Sequence, residues 1–260
     1  MVGPEFASCL LKIGHAEEHL NIFNTERLAW IQGEPYVISK KVEAEGRRHS
    51  AVLGGIRNPP PLDRWSLIAG DCIHNLRSAL DHAAYALAIR DSGQSPPPAY
   101  RSIQFPIVGD SKDWPAERDR RLGSLSAASR ARIERLQPYN RGHHDLPPLL
   151  SLVSHFDNTD KHRLLNLASE HLVGGKFRLK TAMPTLTPYF LKTPINSGTE
   201  AVMFFEVDPP NLDVDYDYEP SFDITVSHPQ GPSGAHVSLL KYILEILIAE
   251  VKAVVNLAVL

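Results

Sequence analysis

The stretch Leu62-Asp-Arg-Trp-Ser-Leu-Ile-Ala-Gly-Asp-Cys-Ile-His-Asn-Leu-Arg-Ser-Ala-Leu-Asp-His-Ala-Ala-Tyr-Ala-Leu-Ala-Ile-Arg90 decides how the rest of the chain is read. Pro59, Pro60 and Pro61 precede it and Asp91-Ser-Gly closes it, so it reads as a helix with a breaker at each end. At about 100° per residue, Cys72, Ile73, Leu76, Ala79, Leu80, Ala83, Ala84 and Leu87 gather on one face. Asp71, Asn75, Ser78 and His82 fall in a stripe opposite, with His74 at its edge. Arg77 lies between stripe and core, one turn before Asp81. Two readings of the stripe stand. One is a solvated face. The other is a cleft or interface, because a solvated face is normally rich in Lys and Glu, which keep helix propensity and stay hydrated. From Trp65 to Ile89 there is neither. His, Asn, Ser and Asp, poorer helix formers, stand there instead.

With 260 residues the chain has enough length for a full core. Hydrophobic content of 43% and charge of 22% are those of a soluble globule. A net charge of −3 excludes a global attraction to nucleic acid or anionic membrane, so any such contact needs a local patch. Cys9 and Cys72 do not make a disulfide framework, which points to a reducing, cytoplasmic setting. No basic n-region followed by an apolar run opens the chain. Met1 to Phe6 reads as a vector or protease-site remnant and is set aside. Residues 7–260 are expected to form a single domain.

Outward from the organising helix, residues 7–32 have helical period and Gly33 ends them. Residues 35–42 and 48–56 read as two strands with a turn at Gly46. Lys112 to Arg141 is the most basic part, with Arg118, Arg120, Arg121, Arg130, Arg132, Arg135 and Arg141. Ala127 to Leu136 is expected to be a helix stopped by Pro138. An Arg run is ordinarily a solvated helix face; the sharper reading is a phosphate or RNA contact.

Pro147 to His162 is expected as another helix, with His155, Asn158, Thr159 and His162 on one face and Asp160 beside them. It echoes the first stripe in using His and small polar residues. Residues 164–226 turn to strand character, with an acidic loop around Asp213, Asp215, Asp217 and Glu219 that lacks EF-hand spacing.

Ser233 to Leu260 is almost entirely apolar. Lys241, Glu245, Glu250 and Lys252 interrupt it, so a central bundle helix is expected and no membrane span. Glu250 stands on the apolar face, where a carboxylate needs a partner or must be neutral. It could face the His-rich stripes or a second subunit. A homodimer through this helix is expected. The fold class is α+β: a bundle of four to five helices carrying a small antiparallel sheet.

The segments Gly70-Asp-Cys-Ile-His-Asn-Leu-Arg-Ser-Ala-Leu-Asp-His82 and Asn158-Thr-Asp-Lys-His-Arg163 resemble a widespread group of bacterial proteins of unknown function. That resemblance implies no activity. The spacing from Arg77 to His82 resembles the Arg-x4-His motif of the HEPN superfamily. These are helical domains, many of them metal-independent ribonucleases, whose motif lies at a dimer interface. The likeness implies Arg77 as a clamp on phosphate and His82 as the acid/base at a 2′-hydroxyl or leaving oxygen. The plain reading of the same residues is an Arg77–Asp81 pair at i,i+4.

A His-rich metal-binding protein is the third reading. His74 and His82 lie about 12 Å apart along the axis, and His155 and His162 about 10 Å, too far for either pair to chelate one ion. His15-Ala-Glu-Glu-His19 fits the inverted zinc-protease string but has no identifiable third ligand, and reads as an exposed helix face. His143 and His144 sit in a loop. No metal ligand and no cofactor is assigned. Gly-x-Ser-x-Gly, phosphate-loop and dinucleotide motifs are absent. The leading expectation is a non-enzymatic binding or interaction protein, with a polar cleft between the organising helix and the His155–His162 helix. Its lining would draw on Asp71, His74, Asn75, Ser78, Asp81, His155, Asn158, Asp160 and His162.

Overall fold

A hairpin after the first helix, a run of four helices, a run of strands and a last helix follow one another along the computed structural model, which describes residues 3–141, 148–181, 186–190, 201–228 and 237–259. In chain order these are α1 (Ala7–Gln32), β1 (Tyr36–Glu43), β2 (Arg48–Ile56), α2 (Leu62–Ser92), α3 (Trp114–Arg121), α4 (Ala127–Arg135) and α5 (Leu149–Asp160). Then come β3 (Leu167–Leu179), β4 (Tyr189–Phe190), β5 (Ala201–Glu206), β6 (Tyr216–Ser227), β7 (Val237–Leu239) and α6 (Leu240–Val259). One sheet has the order β1–β2–β5–β4 and the other β3–β6–β7. In the first, β1–β2, β2–β5 and β4–β5 pair antiparallel. The fold is α+β with a helix-dominated core.

Several boundaries differ from the sequence reading. The bundle count rises to six helices among the described residues, because the basic segment breaks into α3 and α4 at Leu122. Ser126 restarts the chain as N-cap, its hydroxyl accepting from Ser129 N–H. The last helix begins at Leu240, since residues 237–239 are extended, and residues 233–236 lie outside the described set. His143, His144 and Pro147 lie outside it too. Phe6, set aside in the sequence reading, is buried, and its carbonyl receives the Cys9 thiol at 3.0 Å.

The chain divides into two compact units. The first comprises residues 1–24, 63–166 and 226–260; the second comprises 25–62 and 167–225. In the first, α2 is central. Cys72, Ile73, Leu76, Ala79, Leu80, Ala84 and Leu87 are fully buried, and Trp65 meets Phe23 edge to face at 5.7 Å. The apolar face of α6 (Ile243, Leu244, Leu247, Val251, Val254) is buried in the same unit, where α6 packs on α4 and α5. That burial uses inside the chain most of the surface assigned to a dimer. Tyr242 and Leu257 remain exposed. Glu250 does have a partner, as its position demands. The partner is Arg141 of the same unit, neither the His-rich stripes nor a second subunit.

The second unit is built on the β1–β2 hairpin and β5. Ala51, Leu53, Val202, Met203, Phe205 and Tyr216 make its core. His49 is buried against Phe205, ring on ring at 5.3 Å, and its Nε2 meets the Asn211 carbonyl at 2.8 Å. Gly46 turns the hairpin at φ +90°, and a Cβ there would press on the Asn211 backbone. The acidic loop is held by cations: Lys40 on Asp215 at 3.0 Å and Lys180 on Asp217 at 2.8 Å.

Candidate functional site

Two helices of the first unit present matching rows to one cleft. From α2 come His74, Arg77, Ser78 and Asp81; from α5 come Ser154, Asp157, Asn158 and Lys161. Each row follows i, i+3, i+4, i+7, the spacing that stacks side chains along one helical face. Gln104 and Ile107 of the extended segment after α2, and Glu117 and Arg121 of α3, complete a hollow of about 280 Å³. Ile107 is its one apolar lining residue among the described residues.

Its charges are paired within the wall. Buried Asp157 meets His74 Nδ1 at 3.2 Å and Lys161 Nζ at 2.5 Å. Glu117 accepts from Arg121 at 2.6 Å, and Arg121 also donates to Gln104. Arg77 Nη2 donates to the Asp81 carboxylate and to the Phe105 carbonyl, each at 2.8 Å. Asp81 in turn accepts from the Phe105 N–H at 2.8 Å. The i,i+4 pair thus grips one peptide of the 103–108 segment from both sides. Burial raises the Asp81 pKa, an effect that Arg77, the Phe105 N–H and Arg121 oppose. Ser78, Ser154 and Asn158 make no side-chain hydrogen bond among the described residues and remain open to a ligand.

The stripe expected from sequence is therefore divided. His74, Ser78 and Asp81 line the cleft with Arg77. Asp71, Asn75 and His82 do not. Asn75 accepts from Lys12 of α1 at 3.2 Å and donates to the Asp71 carbonyl at 2.8 Å. His82 has a buried Nδ1 without a partner among the described residues. Arg77 and His82 are 140° apart at the helical period, so the two do not converge on this cleft.

On α5, Asn158 is the one expected site residue on the cleft wall. His155 lies edge-on to Phe156 at 5.5 Å, and burial, Arg163 and His228 lower its pKa. His162 is exposed. Asp160 lies over Gly70 of α2, where a Cβ would overlap its carboxylate. Burial first, then Asp71 and Asp157, raise its pKa.

Asp157, Lys161, Gln104 and Glu117 were not singled out from sequence, and Arg121 was named only as part of the basic run. The i,i+4 spacings of Asp157–Lys161 and Glu117–Arg121 are the only local signal they carry. His15 pairs with Glu18 on an exposed surface. No group of three or more His, Cys, Asp or Glu placed to hold a metal ion occurs among the described residues. Among the described residues, no helix is long and apolar enough to cross a membrane. In the basic segment, Arg118, Arg120, Arg121 and Arg141 are paired with carboxylates, and Arg130 donates to the Gly123 carbonyl.

No protein-family model, no curated protein and no solved structure matches this chain.

Proposed function

We propose that the α2–α5 cleft is a binding site, without catalytic chemistry, for a small neutral molecule rich in hydrogen-bonding groups. The observation that carries this is the division of labour on its wall. Every charged side chain has an opposite partner, and Ser78, Ser154 and Asn158 are left uncommitted. A charged ligand must break an existing pair to gain its own, whereas hydroxyls and amides add hydrogen bonds without that loss. Calorimetry with ribose, inositol and propionamide, and with inorganic phosphate as comparator, tests the reading. A neutral probe should bind, and Ser78→Ala or Asn158→Ala should weaken it about tenfold. Phosphate binding more tightly than every neutral probe would reverse it.

The alternative is HEPN-like RNA cleavage by Arg77 and His82. In its favour is the imidazole Nδ1 of His82, buried without a partner among the described residues. Against it is Arg77, already engaged by Asp81 and Phe105. An RNA digestion assay decides: cleavage abolished by His82→Ala in a folded protein supports it, and an inactive parent removes it. Three further readings have narrower support. The unpaired, buried Cys9 and Cys72 fit a reducing cytoplasm. A homodimer would use the exposed Tyr242 and Leu257 of α6, which sedimentation of a Tyr242→Glu/Leu257→Glu variant tests. An RNA contact through the Arg118–Arg141 segment would fall to Arg132 and Arg135, which have no partner among the described residues.

A further inference from the structure

A larger hollow lies in the second unit. It has a volume of about 630 Å³, within the range of small-molecule sites. It forms where α1 ends and β1 begins. Gly33 N–H closes the helix on the Ala29 and Trp30 carbonyls, and Glu34 then takes φ +47°, a left-handed conformation uncommon for a side chain with a Cβ. The carbonyl of Pro35 is fixed by the Arg57 N–H at 2.6 Å. The apolar wall is formed by Tyr36, Ile38 and Tyr218. The Tyr218 ring can lie on β3 because residue 175 is glycine, as a Cβ there would overlap it.

Around this apolar wall stand four exposed charges: Glu34, Glu219, Arg57 and Lys176. None makes a side-chain ion pair or hydrogen bond among the described residues. This is the reverse of the α2–α5 cleft, where the charges neutralise one another. Two free cations and two free anions beside aromatic faces complement a ligand with an apolar ring and both charges.

We infer that this hollow binds a zwitterion with an aromatic body, the class of free aromatic amino acids and their short peptides. The carboxylate is held by Arg57 and Lys176, the ammonium by Glu34 and Glu219, and the ring lies against Tyr36 and Tyr218. The inference is independent of the proposal for the first unit.

Calorimetry of the full chain with phenylalanine, phenethylamine and phenylpropionate tests it. Phenylalanine should bind, and each one-charge analogue should bind about tenfold more weakly or worse. Arg57→Ala should weaken phenylalanine about tenfold and leave phenethylamine unchanged. Glu34→Gly is the control for folding, because glycine suits the left-handed position. It should keep the melting temperature or raise it, while weakening phenylalanine and sparing phenylpropionate. Ser78→Ala should change nothing here. Absence of phenylalanine binding at millimolar concentration, equal affinity for phenylalanine and phenylpropionate, or insensitivity to Arg57→Ala would each overturn the inference.

Discussion

Gly70 and Asp160 meet where no side chain on α2 could stand: a Cβ on the glycine would occupy the place of the carboxylate. Glycine inside a helix is less stable than alanine by roughly 0.5–1 kcal/mol. Local propensity therefore favours Gly70→Ala and the tertiary contact opposes it. We expect Gly70→Ala to destabilise the protein by about 1–3 kcal/mol in urea titration, through displacement of Asp160 from α2. Adding Asp160→Ala should recover most of that loss. A double mutant as unstable as Gly70→Ala would show that the close approach is not what the glycine serves.

Asp160 also sets a pH dependence. Its folded pKa is raised by burial and by Asp71 and Asp157. The folded state therefore holds this proton more tightly than the unfolded chain, and ionisation opposes folding. The stability it contributes is present below the unfolded carboxylate pKa and is lost as pH rises through the raised folded value. Asp160→Asn should melt higher than the parent at neutral pH. The gap should close as pH falls through the carboxylate range. A gap independent of pH would assign the effect to packing.

Arg141 and Glu250 form a pair whose carboxylate side chain is only 10% exposed. Removing one partner leaves the other charge uncompensated in a poorly hydrated place. Arg141→Ala should cost about 2 kcal/mol in urea unfolding, allowing for the partial exposure of the arginine. Glu250→Gln should cost less, because a neutral amide is cheaper to leave buried.

Tyr218 holds a buried hydroxyl without a partner among the described residues, and burial pushes its pKa up to about 12. A buried donor left unpaired costs about 1–3 kcal/mol. Tyr218→Phe should be neutral or stabilising by up to about 1 kcal/mol in thermal melting. A clear destabilisation would mean the hydroxyl is satisfied in solution.

The organising helix was readable because its determinants are local. Prolines before Leu62, the apolar period from Cys72 to Leu87 and the closing Asp91-Ser-Gly are all in the sequence, and α2 runs Leu62–Ser92. The hairpin strands Tyr36–Glu43 and Arg48–Ile56 were readable for the same reason. The separate α3 was obscured because its eight residues carry almost no apolar pattern. Glu250 was recognised as needing a partner, since a carboxylate on an apolar face is a local anomaly, but nothing local identifies Arg141.

The sequence alone determined five of the six described helices, the α+β class and the polar character of the faces of α2 and α5, because period and residue type are properties of a single segment. Only the tertiary structure decided that His74, Arg77, Ser78 and Asp81 face Ser154, Asp157, Asn158 and Lys161, while Asn75 meets Lys12 and Asp160 settles on Gly70. A helical wheel advances 100° per residue and states which side chains share a face. It holds no information on which neighbour covers that face, and a rotation of a fraction of a turn exchanges one row for the next.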